Sequence, residues 1–199
     1  MLQRIRGLAA VRLPELNDGH RLPGREGKTR PAAVLVPIVN RPRGLTLLLT
    51  QRSANLPDHP GQISFPGGRQ EAADLTPAHT ALRESQEEIG LDESRVDILG
   101  EVGRYETVTG YSVTPVVGWV EPPLDLVTDP VEVAEVFEVP LAYVFNPGNF
   151  EQHQRDVGGQ VRHYFVCQYE DRCIWGATAA MLLLVYYALA APVADSSFT

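Results

Sequence analysis

The chain has 199 residues, a length that fits one domain rather than two. With 44% hydrophobic and 21% charged residues it can bury a sizeable core, which excludes disorder and fibrous repeats. A net charge of −8 without any Lys/Arg-rich stretch excludes nucleic acid as a partner, and only two cysteines, Cys167 and Cys173, exclude a disulfide-dense scaffold and a four-cysteine zinc site.

Residues 1–31 read as an N-terminal extension, a short helix from Leu2 to Val11 followed by a loop with Pro14 and Pro23. Charges inside its apolar run argue against a secretory signal. The two thiols lack C-x-x-C spacing and read as core filler, so a cytoplasmic location is expected. The run Ala32–Asn40, the turn Arg41-Pro42-Arg43-Gly44 and the run Leu45–Arg52 predict a hairpin covered on both faces. A segment punctuated by Pro57, Pro60, Gly61, Pro66, Gly67 and Gly68 follows. Then Thr76 is set to cap a helix with Pro77 in its first position and Gly90 as its stop. Ala78, Ala81, Leu82, Ser85 and Ile89 fall on one face of that helix.

Beyond Gly90 the pattern returns to strands, Val96–Val102, Ser112–Val120 and Glu135–Val139, and then to a hairpin with arms Phe150–Arg155 and Val161–Tyr169. From Ile174 to Ala194 the chain carries no charge, nearly the length of a membrane span. Its alanines, Gly176, Thr178, Tyr186 and Tyr187, and the absence of a basic flank on its C-terminal side, favour a buried helix over an anchor. Such a helix, Ile174 to Ala191, needs cover from its own domain or from a second copy in a homodimer. The whole reads as one α/β (α+β) unit, residues 32–191, with a mixed sheet between helices and a tail at 192–199.

The chemistry concentrates in Pro77–Ile89. Glu84, Glu87 and Glu88 stand at i, i+3 and i+4, so their carboxylates share a face near the helix C-terminus. Mutual repulsion, at about 0.2–0.5 kcal/mol per exposed pair, and the macrodipole both oppose that placement, and Arg83–Glu87 returns one favourable contact. A divalent cation reverses the balance, since hard oxygen ligands on one rigid face suit Mg²⁺ or Mn²⁺. Upstream, Ser64-Phe65-Pro66-Gly67-Gly68 brings two glycines to the entry of the helix, where backbone N–H groups can approach a phosphate. Together the two parts describe a site for a metal-bound, phosphate-containing ligand. The five histidines form no H-x-x-x-H or H-E-x-x-H pattern, and there is no G-x-S-x-G elbow or Walker loop.

Gly68 followed by Arg83-Glu84-x-x-Glu87-Glu88-x-Gly90-Leu91 resembles the box of the Nudix hydrolases, G-x5-E-x7-R-E-U-x-E-E-x-G-U with U apolar. Here Asp74 stands for the first Glu, eight residues precede Arg83, and Ser85 takes an apolar position. A second stretch, Leu48-Leu49-Thr50-Gln51-Arg52-Ser53 with Gly61 and Phe65-Pro66-Gly67-Gly68, is similar to the signature of coenzyme A pyrophosphatases, with Pro57 in place of its second arginine. Thr109–Val116, Glu132–Phe137 and Trp175–Ala179 extend the likeness, which covers Ala32 to Leu189.

The resemblance implies a Nudix fold and hydrolysis of the pyrophosphate of coenzyme A or its derivatives to 3′,5′-ADP and 4′-phosphopantetheine. It makes Arg83, Glu84, Glu87 and Glu88 the catalytic residues, with those glutamates and the Gly68 carbonyl holding Mg²⁺ or Mn²⁺. Arg52, Gly67, Gly68 and Arg69 become the substrate contacts. The alternatives are a pyrophosphatase acting on ADP-ribose or another nucleoside diphosphate derivative, and a non-catalytic nucleotide-binding module. Outside the box Glu106, Glu132 and Glu135 are further candidates for the catalytic base, and spacing does not choose among them.

Overall fold

In the computed structural model, which describes residues 29–157 and 159–189, the first strand β1 (Arg30–Arg41) organises everything around it. Its apolar residues alternate between two cores. Ala32, Val36 and Ile38 enter one, while Ala33, Leu35 and Val39 enter the other. A strand buried on both faces reads as a near-continuous apolar run, as this one does. Its start at Arg30 lies inside the stretch expected to be extension. The rest of that extension, with the expected helix Leu2–Val11, and the tail 192–199 lie outside the described residues.

The C-terminal half of β1 pairs antiparallel with β2 (Gly44–Arg52), and its N-terminal half pairs with the short β4 (Gly67–Arg69). Along its other edge it runs parallel to β7 (Tyr111–Val120), from Arg30↔Tyr111 to Val39↔Val120. Strands β3 (Ile63–Ser64), β5 (Val96–Glu101), β6 (Tyr105–Glu106) and β8 (Val133–Pro140) complete an eight-stranded mixed sheet. The helix α1 (Pro77–Ile89) covers one face through Ala81 and Ile89. The helix α3 (Ala177–Leu189) covers the other, and the four-residue α2 (Leu141–Val144) closes that core at one end. The sheet between helices expected from the sequence is therefore the observed architecture. The last hairpin forms a separate three-stranded sheet, β9 (Phe150–Val157), β10 (Gln160–Tyr169) and β11 (Arg172–Trp175), whose Cys167 and Ile174 join the α3 core.

The uncharged C-terminal stretch departs from expectation at its start. Ile174 and Trp175 are strand, because β11 pairs with β10 through Cys167↔Ile174 and Val166↔Trp175. The helix begins after Gly176, whose N–H donates to Phe165 O at 2.9 Å. Of its 13 residues, 10 are buried within the chain itself, which explains the missing polar face. No helix of the described residues is long and apolar enough to cross a membrane. Leu182, 0% exposed, fills this core. Leu182→Ala is expected to cost about 2–5 kcal/mol of stability, read as a lower urea midpoint at unchanged slope.

Candidate active site

The helix α1 is built as its sequence dictates. Thr76 Oγ1 accepts from the His79 N–H at 3.2 Å, Pro77 opens the first turn, and Gly90 closes the last with φ 65°. Ser85 tolerates burial because its hydroxyl donates to Ala81 O at 2.6 Å, so a polar residue serves at an apolar position of the motif. The acidic face is thereby presented to the turn between β3 and β4.

Two glycines make that approach possible. At Gly67, φ is 148°, and an added Cβ would collide with the backbone of Ala33 and Val34. Its N–H donates to Glu88 Oε2 at 3.1 Å. At Gly68 an added Cβ would stand 2.6 Å from the Glu84 carboxylate, which occupies the space that only glycine leaves.

Arg83 fans out to three carboxylates and a carbonyl. Its Nε and Nη2 donate to the two oxygens of Asp74 at 3.2 and 2.9 Å, Nη2 also to Glu84 Oε1 at 3.0 Å and Arg69 O at 3.2 Å, and Nη1 to Glu87 Oε2 at 2.9 Å. The extra residue before Arg83 does not disturb this, because the chain turns back with Asp74 N–H on Glu71 O. Asp74 further accepts from the Glu71 N–H and the Thr80 hydroxyl. The hydrogen bond from Arg83, backed by the Glu71 N–H, holds the Asp74 carboxyl well below the usual range.

Glu84 and Glu88 move the other way. Burial pushes Glu84 up against the pull of Arg83, and it pushes Glu88, 5% exposed, to about 7. The charges of Glu84 and Glu132 raise Glu88 further, while the Gly67 N–H and Arg52 hold it down. Glu132 thus emerges from the three further carboxylates that spacing left open. The loop after β7 docks under α1 through Val127 N–H on Ile89 O and Asp129 N–H on Glu88 O. Ser53 N–H on Glu132 O then ties Glu132 to the end of β2. Glu135 instead pairs with Arg172 at 2.6 Å, and Glu106 lies on β6 opposite Ser112.

Arg52 stands where the register between β2 and β8 shifts, at Gln51/Arg52, and its charge acts on Glu88. Its Nε is buried and has no hydrogen-bond partner among the described residues. Arg69 touches the network through its carbonyl only, and its residue is exposed.

The donor set suits a hard divalent cation. Partly desolvated carboxylates that raise one another's proton affinity are relieved when a cation neutralises them. The convergence is incomplete, however. Glu87, with a side chain 59% exposed, is drawn aside by Arg83, and among the described residues no three acidic, histidine or cysteine side chains gather into a coordination group. Glu84 and Glu87 accept from Arg83, and Glu88 accepts from the Gly67 N–H.

A family model described as NUDIX domain matches residues 28–160. The chain is 42% identical over 155 residues to proteins named as uncharacterised Nudix hydrolase NudL. The match spans 77% of this chain and 81% of the protein from Photorhabdus laumondii, or 79% of that from Escherichia coli strain K12. Among solved structures it resembles the Nudix hydrolase RenU of M. smegmatis, with TM-score 0.50 and 24% identity, over 59% of this chain and 74% of that one.

Proposed function

From the premise that the chain belongs to the Nudix family, and so is a pyrophosphatase-type hydrolase of small molecules, we propose that its substrate is coenzyme A or a derivative. The observation that carries the reading is the meeting of two signatures at one carboxylate. Arg52, from the Leu48–Ser53 stretch, and Gly67, from Phe65–Gly68, both act on Glu88 of the Nudix box. Pro57, in place of the expected arginine, lies in an exposed loop and supplies no charge.

The family's hydrolases generally use divalent ions such as Mg²⁺. Here Glu84, Glu87, Glu88 and the Gly68 carbonyl are the ligands we assign to Mg²⁺ or Mn²⁺, which when bound offsets the pyrophosphate charge and acidifies water. Arg83 sets the carboxylates through its fan of hydrogen bonds. Arg52 and Arg69 pair with phosphate oxygens, and Gly67 and Gly68 of β4, having no side chains, let the ligand come close to backbone. A carboxylate of the Glu84, Glu88 and Glu132 cluster takes the proton of the attacking water. Water adds to one phosphorus, the bridging P–O bond breaks, and 3′,5′-ADP and 4′-phosphopantetheine leave.

A hydrolysis screen with Mg²⁺ and Mn²⁺ across coenzyme A, ADP-ribose, NADH, diadenosine polyphosphates and nucleoside triphosphates tests this. Coenzyme A is expected to lead ADP-ribose by about tenfold or more in kcat/KM, more than 1.4 kcal/mol of differential transition-state binding. The opposite order by the same factor overturns the reading.

A further inference from the structure

The three-stranded sheet carries a cationic and aromatic strip that the hydrolytic site does not use. Arg155 of β9 and Arg162 of β10 are direct cross-strand partners, and His153↔Tyr164 is the next pair on the same face. Trp175 of β11, opposite Val166, extends that face onto the third strand. The rings run on from one another: His153 and Tyr164 have centroids 5.8 Å apart, and Tyr164 meets Trp175 edge-on at 6.1 Å. Trp175 is 37% exposed.

Two guanidinium groups set opposite each other on a sheet repel, and neither forms an ion pair among the described residues. Arg162 is only 8% exposed, and its Nε and Nη1 are buried with no hydrogen-bond partner. Two carboxylates of β9 are engaged elsewhere. Asp156 alternates to the opposite face and accepts from the Gly159 N–H, and Glu151 meets His153 Nε2 at 3.0 Å. A buried, permanently charged group with orphaned donors calls for an anionic acceptor with several oxygens.

We propose that this strip is a second nucleotide site, with a phosphate held between Arg155 and Arg162 and a base stacked on the exposed Trp175, against the edge-on ring of Tyr164. Planar heteroaromatic rings stack on such side chains whatever their sequence context. A mononucleotide fits better than a nucleic-acid strand. The strip offers one arginine pair and one aromatic pair, four residues apart from Arg162 to Val166, on a chain of net charge −8 that repels a polyanion. The site is independent of the pyrophosphatase reading.

The test uses the full chain in EDTA with Trp119→Phe, which leaves Trp175 as the only tryptophan. AMP is expected to quench its fluorescence, and adenosine or inorganic phosphate alone to bind at least about tenfold more weakly. Arg155→Ala, at an exposed position, should weaken AMP at least about tenfold at unchanged Tm, and Arg162→Met should do at least as much if it folds. Glu88→Gln should leave AMP binding as it is. Unchanged affinity in Arg155→Ala overturns the proposal, as does loss of binding in Glu88→Gln, which would return the ligand to the acidic centre. An oligo(dA) strand binding tenfold tighter than AMP would make the strip a nucleic-acid groove instead.

Discussion

Glu88→Gln is expected to lower turnover by about 100-fold or more while the protein stays folded. Glutamine keeps the shape and an oxygen for the Gly67 N–H, and removes only the charge. The proposed metal site needs that charge; packing does not. Stability provides the control. Burial raises the Glu88 carboxyl to about 7, so the folded state holds a proton that the unfolded chain gives up in the ordinary carboxylate range. Metal-free wild type should therefore lose stability as pH climbs from that range to about 7 and level off above it. The glutamine variant lacks this slope and should be at least as stable at pH 8. Thermal melts in EDTA across pH, alongside steady-state rates with Mg²⁺, read both outcomes. Near-normal turnover in a folded Glu88→Gln protein would sink the assignment of Glu88.

Much of this is legible in the sequence, for specific reasons. Thr76, Pro77 and Gly90 bound α1 because each acts within one turn of itself, so local chemistry decides. The hairpin across Arg41–Gly44 follows in the same way. What stayed hidden depends on distant pairing. β3 and β4 are only two and three residues long, too short for any periodicity, and they exist because β2 and β1 offer them edges. Ile174 and Trp175 look like the start of an apolar helix until β10 pairs with them. Glu132 has no local mark that separates it from Glu106 or Glu135. Only the docking of its loop under α1 brings its charge to Glu84 and Glu88. The missing convergence of Glu87 was equally invisible, since helical spacing places a carboxylate on a face without saying which arginine will claim it.

Arg83→Gln is expected to lower kcat by about 10- to 100-fold with little change in KM, because the role proposed for it is to fix Glu84 rather than to touch substrate. The same change should cost stability. Asp74, whose side chain is 6% exposed, would keep only the Glu71 N–H and the Thr80 hydroxyl as donors. Because the pair is only partly buried, the loss of these charged hydrogen bonds is expected to cost about 1–3 kcal/mol. The pH dependence identifies the cause. In wild type the Asp74 carboxyl lies well below its ordinary value, so its contribution is complete above the ordinary range and is lost as pH falls toward the depressed one. The variant should therefore differ most from wild type near neutrality, and the gap should narrow in acid. Arg83→Lys separates charge from geometry, since a single ammonium cannot span Asp74, Glu84, Glu87 and the Arg69 carbonyl at once. If lysine restores full turnover, Arg83 contributes only its charge, and the orienting role assigned to its planar fork is wrong.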